Sequence, residues 1–380
     1  MRILYIINKM IDLAGIERIL SCKMNYLSEN TSHQIYLMTY EQQNKELSFQ
    51  LNSNISYLPM NNPMPQRSDY SFINWIKAYL YARRLFMRQF QTTINDIHPD
   101  IVICTVYSYH VLDIIIKTAN RMKAKTILES HIKGDTVSIA KYQTNRILLS
   151  LFSLWDKYIL KSLKKCDCIV TLTKEDILYW KRYSSHIEVI PNMLTISPQK
   201  VNDYRTKRII AAGRYTHQKG YDLLLEAWHH IDPKYYNWHL FVFGNGDKTT
   251  YQHIVDKYNM NKNVHLMSAT KDIVKEFSNS SIYVMSSRFE GFPLVLGEAM
   301  SCGLPCISFD CPYGPRDIIS DGEDGIIVEN GNIRELSQKL EYLMSDVGIR
   351  QAMGEKASIN ISRYKPEFIM KQWIHLFNNL

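Results

Sequence analysis

No stretch of this 380-residue chain is apolar for long enough to cross a bilayer. The longest strongly apolar run, residues 147–155, is far short of the roughly 18–20 residues a spanning helix needs. The opening Met1-Arg2-Ile3-Leu4-Tyr5-Ile6-Ile7-Asn8 has no small-residue cleavage site and reads as a first buried strand, not an export signal. Cysteine is present without a ligand pattern. Cys166 and Cys168 have no His nearby, and Cys302, Cys306 and Cys311 lack imidazole partners, so no metal site is expected. An odd count of seven without an export signal points to reduced, packed thiols in the cytoplasm. Recognition helices, zinc fingers and stacked-aromatic motifs are missing, which speaks against a nucleic-acid partner. So are the G-x-G-x-x-G turn of dehydrogenases and the G-x4-G-K-[ST] loop of P-loop nucleotidases. Gly244-Asn245-Gly246-Asp247-Lys248-Thr249 satisfies neither. There are no repeats or low-complexity tracts.

What is present describes a globular protein, 46% hydrophobic and 22% charged. Its length predicts two domains. Charge is unevenly spread. Residues 1–200 hold 25 Lys and Arg against 16 Asp and Glu, a net of +9, while the remaining 20 against 21 leave −1. An excess confined to one half fits a partner that meets that half, such as an anionic membrane surface.

Short β-branched runs alternate with amphipathic stretches along the chain. Strands are predicted at 3–8, 35–39, 101–106, 126–128 and 168–172, with helical spacing between them, as at Ile16, Ile19, Leu20 and Leu27. The rhythm restarts after Pro191-Asn192 and a polar segment at 197–207. Further strands are expected at 208–212, 240–243, 264–267, 282–285 and 306–309, and helices at 221–231, 250–258, 294–300 and 333–344. This predicts two α/β domains with doubly wound parallel sheets, at 1–196 and 204–365. Two such sheets side by side leave a cleft at the carboxyl ends of their strands. The final segment 366–380 carries Phe368, Ile369, Trp373, Ile374 and Phe377, and is expected to pack back on the first domain.

Two segments carry chemistry. Gly213-Arg214-Tyr215-Thr216-His217-Gln218-Lys219-Gly220 follows a predicted strand and opens a helix. Two cations beside a helix start suit a diphosphate. Glu290-Gly291-Phe292-Pro293-Leu294-Val295-Leu296-Gly297-Glu298 also follows a strand. Pro293 fits the first helical position, leaving the N–H groups of Leu294 and Val295 for phosphate oxygens. Glu290 precedes that helix and Glu298 lies about one turn inside it.

Together these segments resemble glycosyltransferase family 4, the retaining GT-B enzymes, whose hallmarks are a G-R-x4-K-G loop and an E-x7-E motif. Val189-Ile190-Pro191-Asn192, Phe243-Gly244-Asn245-Gly246 and Cys302-Gly303-Leu304-Pro305 extend the likeness. The resemblance implies that Arg214 and Lys219 neutralise the diphosphate, that Glu298 holds the ribose, and that Glu290 contacts the donor sugar. It further implies that backbone N–H groups at Gly291, Phe292, Leu294 and Val295 hold sugar and phosphates, and that Gly213, Gly244 and Gly246 allow close approach. Ala14-Gly15-Ile16-Glu17-Arg18 resembles the family's glycine-rich loop, with Ala14 where a second glycine is common. Glu129-Ser130-His131 resembles the segment that presents a histidine to the reacting sugar, though a histidine at a strand end also serves simply as a hydrogen-bonded structural residue.

The implied reaction is retaining transfer of a hexose or N-acetylhexosamine from a nucleotide sugar, expected to be a UDP-sugar, to a glycan or lipid-linked hydroxyl in polysaccharide or glycoconjugate biosynthesis. No D-x-D motif stands at a strand end, so the two cations are expected to replace a metal, and no cofactor is expected. The segment 309–317, Phe-Asp-Cys-Pro-Tyr-Gly-Pro-Arg-Asp, resembles transferases of bacterial surface polysaccharides. Residues 70–90 and 141–165 mix aromatic, aliphatic and basic side chains. They read either as core helices with solvated basic faces or as a peripheral contact with the cytosolic membrane face. An epimerase or hydrolase of the same fold, and a non-catalytic membrane-binding protein, are the rival readings.

Overall fold

The computed structural model describes residues 1–12, 15–131, 146–196 and 204–380. They form two compact units, Met1–Pro191 with Pro366–Leu380, and Asn192–Lys365.

The first unit is built on strands β1 (Arg2–Ile7), β2 (Gln34–Thr39), β3 (Ser56–Pro59), β4 (Ile101–Thr105), β5 (Lys125–Ser130), β6 (Cys168–Thr171) and β7 (Ile187–Val189). They pair in parallel in the order β3-β2-β1-β4-β5-β6-β7. Helices α1 (Gly15–Asn30), α2 (Phe72–Ile97), α3 (Leu112–Arg121), α4 (Arg146–Lys161) and α5 (Ile177–Trp180) accompany them. Alternation along each strand sends Leu4, Ile6, Val102, Cys104 and Leu128 into a core shared with Phe86, Phe90, Ile94 and Ile115 of α2 and α3.

The second unit has strands β8 (Arg208–Ala212), β9 (His239–Gly244), β10 (Val264–Ser268), β11 (Ile282–Met285), β12 (Cys306–Phe309) and β13 (Gly325–Val328), ordered β10-β9-β8-β11-β12-β13 and parallel throughout. Its helices are α6 (Tyr221–His229), α7 (Thr249–Lys257), α8 (Ile273–Ser278), α9 (Leu294–Ser301), α10 (Pro315–Ile318), α11 (Ile333–Ser345) and α12 (Val347–Asn360). Asn332 and Asp346 cap α11 and α12 by accepting from the first-turn N–H groups of Glu335 and Gly348. The last helix, α13 (Pro366–Asn379), belongs to the first unit and buries Ile369, Met370, Trp373, Leu376 and Phe377.

Both sheets are the doubly wound α/β type the sequence predicts. The strands it did not predict, β3, β7 and β13, all stand at sheet edges. They are three or four residues long, and short edges carry little of the buried, β-branched signal of central strands. Residues 192–196, read from sequence with the first domain, are held in the second unit. Leu194 N–H donates to Tyr364 O at 2.8 Å, and Thr195 Oγ1 donates to Glu298 Oε1 at 2.8 Å. The linker residues 197–203 lie outside the described residues.

Candidate functional site

The strand order of the second sheet reverses between β8 and β11. Chains leaving two such strands diverge and open a crevice beyond their carboxyl ends. The Gly213–Gly220 segment follows β8 and the Glu290–Glu298 segment follows β11, so the sheet brings together residues about 70 positions apart. Their loops are laced by backbone. Arg288 N–H donates to Gln218 O at 2.8 Å, Gln218 Nε2 to Phe289 O at 3.0 Å, and Ser286 Oγ to Lys219 O at 3.0 Å. Glycine is required at the crossing. Gly220 has φ +61°, and a Cβ there would stand 2.1 Å from Ser286 O.

The charged groups meet at this point. Lys219 Nζ donates to Glu290 Oε1 at 2.7 Å, and Ser287 Oγ donates to the same oxygen at 2.6 Å. Glu290 N–H is tied to Pro312 O at 3.2 Å, which sets the 309–317 segment against it. Arg214 is exposed and enters no ion pair among the described residues. Arg288 is already committed: it makes a two-pronged contact with Asp222 at 2.8 and 2.6 Å. Burial raises the Asp222 carboxyl, but that guanidinium outweighs it and holds the group below the usual range. Glu298 is buried inside α9 and accepts from Thr195. Neither Ser287 nor Thr195 was singled out from sequence. Ser287 lies three residues before Glu290, a spacing that offered a signal, whereas Thr195 is 103 residues from its partner and offered none.

One expectation needs correction. Pro293 is the cap and Leu294 the first helical residue, and the Leu294 N–H donates to Phe292 O at 2.9 Å. It is therefore already engaged, while Val295 remains in the first turn, where a helix supplies no acceptor of its own. Gly244 closes β9, and its lack of a side chain accommodates backbone: a Cβ would lie 2.0 Å from Gly213 O. Its role visible here is to let the β8 and β9 ends pack, with Gly213 N–H donating to Phe243 O at 2.9 Å. Gly246 lies just beyond, at φ +115° beside Tyr215. Gly291 and Phe292 occupy the loop between Glu290 and the cap.

In the first unit Gly15 opens α1 after β1, while Ala14 lies outside the described residues. His131 follows β5, its side chain only 4% exposed and its Nε2 3.1 Å from Glu129 Oε1. The aromatic-basic segment on α2 buries Tyr79, Arg83, Phe86 and Phe90, so part of it is core. Its outer face nonetheless shows Ile73, Leu80, Tyr81 and Met87 among exposed Lys77, Arg84 and Arg88. Residues 141–145 of the companion segment lie outside the described residues. Six of the seven cysteines are buried. Burial pushes the Cys166 thiol up to about 11 and Cys302 up to about 12, which suits packing rather than reactivity. Among the described residues no helix is long and apolar enough to cross a membrane.

Residues 193–359 match the family model of glycosyl transferases group 1. The amylovoran biosynthesis glycosyltransferase AmsD of Erwinia amylovora is 26% identical over 388 residues, covering 99% of each chain. A TarM variant from S. aureus, solved with fondaparinux, alpha-GlcNAc-glycerol and UDP, is 25% identical with a TM-score of 0.61, covering 73% of this chain and 55% of that one. The lipopolysaccharide outer core galactosyltransferase WaaB, in its apo form, shares the fold along all of both chains, with a TM-score of 0.74 at 20% identity. Residues 193–359 are accordingly a glycosyl transferases group 1 domain, and the chain that carries them has the two-domain α/β fold of its GT-B structural neighbours.

Proposed function

We propose that this protein transfers a hexosyl or N-acetylhexosaminyl group from a UDP-sugar to a hydroxyl of a glycan or lipid-linked glycan, with retention and without a metal ion, in surface-polysaccharide or glycoconjugate biosynthesis. The observation that carries the reading is the Lys219–Glu290 pair at the strand-order reversal, beside an exposed Arg214. The UDP bound to TarM and the polysaccharide role in AmsD's name support the choice of donor and pathway class.

In this reading donor binding exchanges partners. The diphosphate draws Lys219 from Glu290 and recruits Arg214, and the released Glu290 turns to the sugar hydroxyls. Glu298 holds the ribose, Val295 and the Gly291–Phe292 backbone meet phosphate and sugar, and Gly15 and His131 take the phosphate and sugar roles that their likeness to the family's motifs assigns. The bond from the anomeric carbon to the phosphate oxygen breaks, and its electron pair leaves with UDP. The acceptor oxygen bonds the same face of that carbon, and its proton passes to the departing phosphate. Fixed cations stabilise the charge that develops on the leaving group. The same two cations stand where a divalent ion would otherwise be needed.

The exposed face of α2, where Tyr81 is 69% and Ile73 66% exposed among three cations, would lie on an anionic cytosolic membrane surface. That would bring the enzyme to a lipid-linked acceptor. A nucleotide-sugar panel followed by ligand-observed NMR tests the donor. Saturation transfer to UDP-sugars is expected, and binding confined to another base would overturn that choice. Product anomers read from proton couplings test retention, and unchanged turnover in EDTA tests the metal-free site.

A further inference from the structure

Beneath α1 and α13 the first unit buries a charged cluster that the reaction just described does not use. Lys23 of α1, 2% exposed, places Nζ 2.5 Å from Glu129 Oε1 of β5 and 3.6 Å from the ring centre of Trp373 of α13. The Tyr5 ring of β1 is centred 5.8 Å from the same ammonium. His131 Nε2 stands 3.1 Å from that same carboxylate oxygen, without the alignment of a hydrogen bond. Among the described residues Glu129 Oε2 and the hydroxyls of Tyr5 and Thr105 are buried with no hydrogen-bond partner, and Thr105 is the register neighbour of Glu129. A pair serving stability alone gains from satisfying every buried polar atom, because an unmade bond there is costly. This cluster instead keeps acceptors unspent next to His131.

We infer that Lys23 is a positioning residue for His131: it supplies the counter-charge to Glu129 and fixes the carboxylate that stands against the imidazole. The inference rests on the proposed role of His131 toward the reacting sugar. Burial by itself raises the Glu129 carboxyl, but Lys23 and His131 outweigh it and hold the group at about 2, so it is ionised at working pH. Burial likewise lowers Lys23, and Glu129 partly offsets this. Among the described residues the charged group printed against His131 is Glu129 at the end of β5, and that carboxylate is met in turn by Lys23 from α1, whose ammonium lies near Tyr5 of β1 and the Trp373 ring of α13.

The test compares pH profiles of kcat for the native enzyme and for Lys23→Met, Lys23→Arg and His131→Ala, each shown to be folded by circular dichroism. Without Lys23, His131 becomes the sole counter-ion of Glu129. The Lys23→Met profile is expected to move by roughly one pH unit toward higher pH. Neutral-pH kcat should fall on the order of tenfold, and donor KM should stay within about twofold, because the cations proposed to grip the diphosphate, Lys219 and Arg214, belong to the other unit. Lys23→Arg, which keeps the charge, should follow the native profile. A merely structural role would lower the active fraction without moving the profile. Should Lys23→Met not fold, Lys23→Gln carries the same measurement with a hydrogen bond kept and the charge removed. A superimposable profile in either neutral variant overturns the inference. Full activity in His131→Ala would instead refute the role of His131 in the reaction, and the inference with it. A large loss in His131→Ala beside an unmoved Lys23→Met profile would sink the inference alone.

Discussion

Each unit sets a lysine against a glutamate near the carboxyl ends of its sheet: Lys23–Glu129 in the first, Lys219–Glu290 in the second. The first pair is sealed, with side chains 2% and 1% exposed. The second is partly open, with 18% and 7%, and stands beside exposed Arg214. A sealed pair breaks only at the expense of leaving a buried charge uncompensated. An open pair can trade its partner for a ligand oxygen. The contrast separates charges that organise a fold from charges that wait for a substrate, although both pairs look alike in composition and distance.

The comparison is broken most directly at the open pair. Lys219→Ala and Arg214→Ala are each expected to reduce turnover about a hundredfold, on the order of 3 kcal/mol of transition-state stabilisation. Only Lys219→Ala should also lower Tm, since it strands Glu290, whereas Arg214 has no ion partner among the described residues to strand. Thermal unfolding beside steady-state kinetics separates the two effects. Equal Tm losses would end the distinction.

The sealed pair is sharpened by pH. The Glu129 carboxyl is depressed from near 4.5 to about 2, so its contribution to stability is complete above 4.5 and drains away as pH falls toward 2. Glu129→Gln should cost on the order of 3 kcal/mol at neutral pH. The gap to the native protein should close on acidification, as followed by urea unfolding at a series of pH values. A gap independent of pH would contradict the assignment.

A smaller loss is expected where the two loops of the open site cross. Gly220→Ala places a Cβ against Ser286 O in a left-handed backbone, and should destabilise by about 1–2 kcal/mol, read as a drop in Tm. The smallest effect belongs to the α2 surface. Reversing Lys77, Arg84 and Arg88 to glutamate should weaken sedimentation with anionic liposomes several-fold at low salt while leaving the donor KM unchanged. Equal sedimentation of both proteins would remove the membrane from the proposal.

How much of this was legible beforehand follows the range of the interactions. Central strands such as β8, β11 and β12 were placed to the residue, because a parallel strand buried on both faces must be β-branched and apolar along its length. Edge strands β3, β7 and β13 were not, and neither was α12, whose buried residues Arg350, Met353, Gly354 and Ala357 form a sparse stripe. The G-R-x4-K-G and E-x7-E segments stood out because glycines, a proline and charges sit at fixed spacing on local turns. That Lys219 would pair with Glu290, that Ser287 and Thr195 would brace the two glutamates, and that Leu294 N–H would be spent on Phe292 O were not legible.

The amino-acid sequence by itself determined the two parallel sheets, the turns that open α6 and α9, and the residue types available at the donor site, since these follow from local periodicity and backbone permissiveness. Only the tertiary structure decided which charges are open and which are sealed. Lys23 and Glu129 are 106 residues apart, and Lys219 and Glu290 are 71 apart. The burial that distinguishes the pairs comes from Trp373 of the last helix in one case and from the crossing of two loops in the other, and no local pattern records either.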